Sequence, residues 1–412
     1  MREVTIIGAG RTGRGMLGEL FYKEGDFHIT FADCNPELVE GLRRQGYYTV
    51  LQNNLVTGAA TTTRVCGFEV VDTVREHERY IQALASSELI ATAVFPSSFD
   101  TVADDLAEMV ACRCRTGVDV PVAVILGGNY VGLKAYFDRA LRERLEGEDA
   151  RYRSEHIALI TSKANRKVTY AASADADRYA LEGDDKPVLP VDDAFPFGAG
   201  YRYPTFFELQ ENAEIGMVEK IWSENLVHCS LGFMAAYEGI RTINEAVERD
   251  DIRTFAYYSW LEGRRALQAE YGLPIPGDAF VQGMFSKFAS PYLTDTIARV
   301  VRQPMRKLGK NDRFMGPALL CMRHGIVPYF ILRAAAYGFC FTDEHDEQSR
   351  QLAEIEARVG LEGTVEQVCG LNREDELENR AEQLLMDAVR SIRLPDRARF
   401  RPDAGDKRKN AA

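Results

Sequence analysis

The chain has 412 residues, 46% hydrophobic and 27% charged, the balance of a folded globular protein with a large core and, at roughly 150 residues per domain, two or three domains. Its 62 acidic and 50 basic side chains give a formal charge of -12, which argues against wholesale binding of nucleic acid or an anionic membrane while allowing a local basic pocket. The eight cysteines show no CxxC or Cys/His ligand spacing, and only Cys112 and Cys114 are close, so free thiols in a reducing cytoplasm are expected, with no structural metal.

The opening MREVTIIGAG runs straight into a glycine loop and does not read as a leader. No stretch reaches the roughly 20 apolar residues that span a bilayer. Residues 3–7 read as a strand, followed by the loop GAGRTG and a helix through Leu20. Residues 28–32 form the next strand, and 87–94 and 121–126 are apolar enough for strands buried on both faces. Helical spacing over 100–112 separates those two, a rhythm that implies a parallel sheet with crossover helices. The stretch YYTVLQ, Asn53-Asn54, LVTGAATTTRVCGFEV reads as an antiparallel excursion from that plan.

From about Asp175 to Pro204 the chain is rich in Asp, Gly and Pro, as a connecting excursion is; a lid and an inert connector fit it equally. Beyond it the pattern is helical to about Ile392, and the last residues are polar, as in a disordered tail. The expected domains are therefore 1–203, 204–395 and a tail over 396–412. The fold class is α/β: an N-terminal Rossmann-type parallel sheet domain with a mainly α-helical C-terminal domain.

Gly8-x-Gly10-x-x-Gly13 follows a strand and opens a helix. Gly8 permits the tight turn, Gly10 lets backbone approach a pyrophosphate, and Gly13 lets helix and strand pack closely. The helix N-terminus adds unpaired N–H groups for phosphates. Gly8, Gly10, Arg11, Thr12 and Gly13 are thus candidate cofactor-binding residues. Asp33 stands 20 residues after Gly13 at the end of the next strand, where a carboxylate accepts the ribose hydroxyls of NAD and repels the extra phosphate of NADP. A helix-starting Asp in DCNPEL is the bland alternative. Arg14 fits a phosphate contact and a solvated helix position equally.

Oxidising a secondary alcohol by hydride transfer needs a group to take the hydroxyl proton and donors for the developing oxyanion. Lys220, Asn225 and His228 are such a set; in a helix of about 100° per residue, Lys220, His228 and Asn225 fall near roughly 0°, 80° and 140°. Without context, a Lys, an Asn and a His on a helix usually form a polar face. Residues 299–313 (RVVRQPMRKLGKNDR) carry Arg299, Arg302, Arg306, Lys307, Lys310 and Arg313 against one acid, Asp312. Arg forks and Lys point charges of this kind can hold a sugar phosphate, or can form a solvated basic face.

GAGRTGRGM with FADCN, then KIWSENLVH, then PYLTDTIARVVRQPMRKLGKNDRFMGP resemble the polyol-specific long-chain dehydrogenases, in order from residue 1 to about 392. That family's Lys-x4-Asn-x2-His signature is met by Lys220, Asn225 and His228. The resemblance implies a metal-free catalytic site in a cleft between the two domains. It gives Lys220 as general acid/base, with Asn225 and His228 hydrogen-bonding the reacting oxygen and neighbouring hydroxyls. A lysine desolvated in such a cleft loses affinity for its proton and can accept the alcohol's. The resemblance also implies polyol anchoring by Arg299 and Lys307, a monomer, and a sugar phosphate or polyol as substrate. The expected reaction interconverts mannitol 1-phosphate and fructose 6-phosphate with NAD. A related polyol or sugar-acid dehydrogenase and an inactive NAD-binding sensor stay open. Two departures bear on substrate: Thr161 and Asn165 in TSKANR replace an Asn and an acid of the family pattern, and Gly128 replaces an acid before Asn129, a candidate contact to the nicotinamide ribose.

Overall fold

The computed structural model describes residues 1–54, 57–164, 166–171, 177–290 and 295–394. The expected tail over 396–412 and the departure at Asn165 lie outside these residues. Two compact units divide at Lys220/Ile221.

In the first unit the strands are, in chain order, β1 (Arg2–Ile7), β2 (Phe27–Asp33), β3 (Tyr47–Asn53), β4 (Ala60–Cys66), β5 (Glu69–Asp72), β6 (Leu89–Thr92), β7 (Val122–Leu126), β8 (Ile157–Thr161), β9 (Val168–Tyr170), β10 (Leu181–Asp184), β11 (Leu189–Asp192) and β12 (Phe207–Gln210). One six-stranded sheet has the order β5-β2-β1-β6-β7-β8, with every pairing parallel. That is the strand order of a Rossmann fold, with its switch point between β1 and β6. β6 and β7 are buried throughout, as expected for strands covered by helices on both faces.

The excursion after β2 is antiparallel as expected, with Tyr47 opposite Cys66 and Asn53 opposite Ala60. Its last residues differ: β5 returns to the main sheet and pairs parallel with β2. β3 also pairs parallel with β10, giving a second sheet ordered β4-β3-β10-β9. The Asp-, Gly- and Pro-rich stretch therefore contributes strands. Pro190 fits within β11 because that strand has β12 as its only ladder partner among the described residues.

The end of this stretch is tied to the first strand. Arg2 donates to Glu88 at 2.7 Å and to the Tyr201 hydroxyl at 2.5 Å, and Tyr201 stacks on Phe197 at 3.8 Å. The Thr205 amide and hydroxyl donate to Glu24 at 2.9 and 2.6 Å. These anchors favour the connector reading. They also carry the first unit past residue 203 to Lys220, because β12 pairs with β11 and the helix Ala213–Glu219 packs against that strand.

The second unit is helical. The helix Leu226–Tyr237 packs against Asp250–Tyr271, Ile297–Val301 and Tyr329–Phe339, and Tyr329–Phe339 packs against Glu376–Arg393. Trp222 is wedged here: a Cβ on Gly316 would lie 2.5 Å from its ring, and a Cβ on Gly263 would lie 2.7 Å from its carbonyl. Among the described residues no helix is long and apolar enough to cross a membrane.

A buried ion pair holds the first helix of the Rossmann sheet. Arg166 donates to Glu19 at 2.7 Å, and neither side chain is exposed. The same guanidinium reaches the carbonyl of Gly15 at 3.1 Å, and Glu19 also accepts from the Thr63 hydroxyl at 3.1 Å. Removing one partner leaves the other charge uncompensated in the interior. Glu19→Ala should therefore cost on the order of 3–5 kcal/mol in chemical denaturation at neutral pH, and a loss below about 1 kcal/mol would show that water replaces the carboxylate.

Candidate active site

The glycine loop follows β1. Gly8 has φ of 96°, in the left-handed region, and a Cβ there would lie 2.7 Å from the carbonyl oxygen of Ala93. A Cβ on Gly13 would lie 1.8 Å from the carbonyl oxygen of Gly8, so helix and strand touch backbone to backbone. Gly10 differs, with nothing within 4 Å of the same position. Its open backbone face at a helix N-terminus is what a pyrophosphate requires. Arg11 and Thr12 are half-buried in the first helical turn, and the Arg11 guanidinium lies 5.6 Å from the centre of the Tyr170 ring.

Asp33 closes this loop from the end of β2. Its Oδ2 accepts the Ala9 N–H at 2.8 Å and its Oδ1 accepts the Asn35 N–H at 2.9 Å. The carboxylate is held still with lone pairs to spare. The following helix, Pro36–Gln45, is capped by Asn35, whose Oδ1 accepts from Glu37 and Leu38, so the helix-start reading belongs to Asn35 and not to Asp33. Arg14 fits neither of its expected roles. It is 1% exposed, donating to the Ala9 carbonyl at 2.7 Å and to the Tyr179 carbonyl at 2.7 Å. It therefore braces the loop from behind.

Lys220 lies in the same unit and is 9% exposed. Its Nζ donates to Asn129 Oδ1 at 2.6 Å and to the carbonyl of Ala164. Asn129 follows β7 and Ala164 follows β8, so the ammonium stands at the carboxyl edge of the parallel sheet, where open α/β sheets bind ligands. Thr161, at the end of β8, is 6% exposed, and its hydroxyl has no hydrogen-bond partner among the described residues. At Gly128 a Cβ would lie 2.9 Å from the Tyr130 ring, so Tyr130 covers the face from which the family's acidic side chain would extend.

The backbone at Lys220 is not α-helical. Lys220–Asn225 forms a π-helical turn leading into the helix Leu226–Tyr237. Bonding of the i→i+5 kind places Asn225 about one turn beyond Lys220, and His228, three residues on, shares the face of Asn225. Asn225 is half-buried.

In the second unit His228 Nε2 lies 3.4 Å from Asp295 Oδ2. Burial pushes the imidazole below its ordinary pKa, against the opposing pull of Asp295, which favours the neutral ring. Asp295 is a residue that sequence reasoning missed. Burial raises its pKa, but the nearby His228 and the hydrogen bonds and charge of Arg299 outweigh this and hold it well below the usual carboxylate range. The available signal was the i,i+4 pair in DTIAR.

The basic segment is not gathered into one cradle. Arg299 forks onto Asp295. Lys310 pairs with Glu378 at 2.6 Å. Lys307 is 5% exposed and donates to the Arg302 carbonyl, and burial, reinforced by the Arg313 and Arg306 charges, pushes its pKa down to about 7. Pro304 and Gly309 bound a short helix, Pro304–Leu308, so successive basic residues turn to different sides. Arg302 is exposed and Arg306 half-buried.

A parallel Rossmann sheet with this loop, joined to a helical second unit, defines an oxidoreductase of the dehydrogenase class. The chain belongs to the mannitol dehydrogenase family: residues 2–185 match the mannitol dehydrogenase Rossmann domain and residues 217–383 match the mannitol dehydrogenase C-terminal domain. It is 25% identical over 390 residues to a mannitol-1-phosphate 5-dehydrogenase of Streptococcus pneumoniae (strain CGSP14), covering 93% of this chain and 100% of the relative. It is 27% identical to a mannitol-1-phosphate 5-dehydrogenase of Thermoanaerobacter pseudethanolicus, covering 92% and 95% of the two chains. The fold is similar to that of Pseudomonas fluorescens mannitol 2-dehydrogenase, solved as a ternary complex with NAD and D-mannitol, with TM-score 0.73, 14% identity and coverage of 95% and 92%.

Because Gly13 meets Gly8 backbone to backbone, Gly13→Ala should displace the loop and weaken dinucleotide binding on the order of 10²-fold or more, several kcal/mol of overpacking at a rigid contact. Fluorescence titration with NADH checks this, and unchanged affinity would mean that the loop does not carry the phosphates.

Proposed function

We propose that the chain is an NAD-dependent oxidoreductase that interconverts mannitol 1-phosphate and fructose 6-phosphate, with Lys220 as general acid/base. One observation carries the reading: the buried Lys220 ammonium is held by Asn129 and Ala164 at the carboxyl edge of a sheet whose first loop fits a dinucleotide. The naming of relatives that match over nearly the whole chain supports the phosphorylated substrate.

Bound nicotinamide supplies hydride acceptance in one direction and hydride donation in the other. Asp33 receives the ribose hydroxyls, and its charge disfavours the additional phosphate of NADP. In polyol oxidation Lys220, as the neutral amine, takes the hydroxyl proton at Nζ while the carbinol hydrogen passes as hydride to the nicotinamide, and a carbonyl remains. Asn225 donates its amide N–H to the developing oxyanion. His228, neutral under the pressure of burial, hydrogen-bonds a neighbouring hydroxyl. Asn129, already an acceptor for Lys220, would contact the nicotinamide ribose. Arg302 and Arg306 are the basic side chains proposed for the phosphate. The lack of a spanning helix among the described residues and the dispersed thiols are consistent with a cytoplasmic setting.

A second reading, a dehydrogenase of an unphosphorylated polyol or a sugar acid, draws support from the internal pairing of Arg299, Lys307 and Lys310. NADH oxidation with fructose 6-phosphate, fructose and fructuronate separates the two, and NADPH in parallel tests Asp33. Turnover should be fastest with fructose 6-phosphate and NADH. Preference for either unphosphorylated ketose would install the second reading, and tight NADH binding without turnover would indicate a sensor. Lys220→Ala should lower kcat on the order of 10²- to 10⁴-fold while NADH affinity changes little, and near-normal turnover would remove Lys220 from the chemistry.

A further inference from the structure

The second sheet lies against the first helix of the Rossmann unit. Val168 in β9 and Leu181 in β10 press on Gly15: a Cβ there would collide with the Val168 side chain and lie 3.1 Å from Leu181 Cδ1. In the antiparallel ladder Leu181 stands opposite Tyr170, and Gly183 opposite Val168. Side chains two apart in a strand share a face, so Tyr170 projects on the same side as Val168, toward the turn that carries Arg11, four residues before Gly15. β9 is fixed at both ends: Arg166 donates to the Gly15 carbonyl at 3.1 Å, and the Ala171 N–H donates to the Ala180 carbonyl at 3.2 Å. The Tyr170 ring is thus presented by a held strand. It is nonetheless 62% exposed, and the Arg11 guanidinium carbon lies 5.6 Å from its centre.

The two arginines of GAGRTGR are engaged differently. Arg14 is committed to the carbonyls of Ala9 and Tyr179. Arg11 is half-buried and pairs with no carboxylate among the described residues, so its N–H donors remain for the oxygens of a ligand. A guanidinium over an aromatic face is attracted by the ring quadrupole without surrendering its in-plane donors. We propose that Tyr170 is a positioning residue for the cofactor: its ring holds Arg11 over the glycine loop, so that the guanidinium meets the pyrophosphate of the dinucleotide already oriented. Ordering a long side chain before the ligand arrives removes that cost from binding. The assignment rests on the dinucleotide reading of the loop. It gives the second sheet a part in cofactor binding, and an exposed tyrosine on a short strand a reason to be there.

Fluorescence titration with NADH and calorimetry with ADP-ribose test this on the whole chain. Tyr170→Leu should weaken both ligands on the order of 3- to 10-fold, whereas Tyr170→Phe, which keeps the ring, should stay within about twofold of wild type. Arg11→Ala should weaken both on the order of 10-fold or more. Adding Tyr170→Leu to Arg11→Ala should cost less than about a further twofold, because residues that act through one contact are not additive. A Tyr170→Leu loss that persists in full on the Arg11→Ala background overturns the proposal, since the ring would then touch the cofactor itself or merely support the sheet. Unchanged affinity in Tyr170→Leu overturns it as well, as does a loss in Tyr170→Phe equal to that in Tyr170→Leu. The ring is mostly exposed, so these variants should keep the fold, which circular dichroism checks. Wild-type protein that binds neither NADH nor ADP-ribose would fail the dinucleotide reading, whereas tight wild-type binding with an indifferent Tyr170→Leu would fail only the positioning role.

Discussion

An ammonium group taken out of water must be given acceptors, and at Lys220 these are Asn129 Oδ1 and the carbonyl of Ala164. Much of the first unit serves that arrangement. The acceptors follow β7 and β8, adjacent central and edge strands whose parallel pairing runs from Val122 and Ile157 to Leu126 and Thr161. The same carboxyl edge carries the glycine loop after β1 and Asp33 after β2. Parallel pairing thus brings residues far apart in sequence to one rim, and the lysine is stationed there by the strap that continues past β12.

Charge is handled differently in the second unit. Asp312 with Arg313 is a buried pair, the buried Asp295 is paired with a half-buried Arg299, and Lys307 stands close by with its pKa pushed down to about 7 by burial. Such pairs add little net stability over apolar packing, but each fixes orientation, since removing one partner strands the other. A polar substrate site needs that rigidity. The cost of a mobile imidazole or guanidinium would fall on the transition state, where small misplacements are expensive.

Much of this could be read from the amino acids. The parallel sheet with crossover helices followed from short β-branched runs alternating with helical spacing, and the cofactor loop from three glycines whose spacing has a steric reason at each position. β8 was not marked as a strand, although Ile157 to Ile160 are all apolar, because it follows directly on the helix Gly147–His156 with no turn signal. β9 to β12 have three or four residues each, too few for an alternation to register, and two contain Gly183 and Pro190. The π-turn at Lys220 was invisible because i→i+5 bonding leaves no compositional mark. Basic residues at 299–313 were legible as a cluster in sequence, and Asp295 lies at local i,i+4 spacing from Arg299, whereas Glu378, the partner of Lys310, is set by tertiary packing. Arg14 was misread for the same reason: nothing local announces that Tyr48 and Tyr179 will enclose it.

The proposed reaction is direct hydride transfer between a nicotinamide and a polyol carbon. Mass spectrometry of the product formed from 4-deuterated NADH and fructose 6-phosphate tests it. A single deuterium is expected on the former carbonyl carbon of a hexitol phosphate, carried from one face of the nicotinamide. A product whose new carbon-bound hydrogen comes from solvent, or the absence of any reduced product despite saturating cofactor, would contradict it.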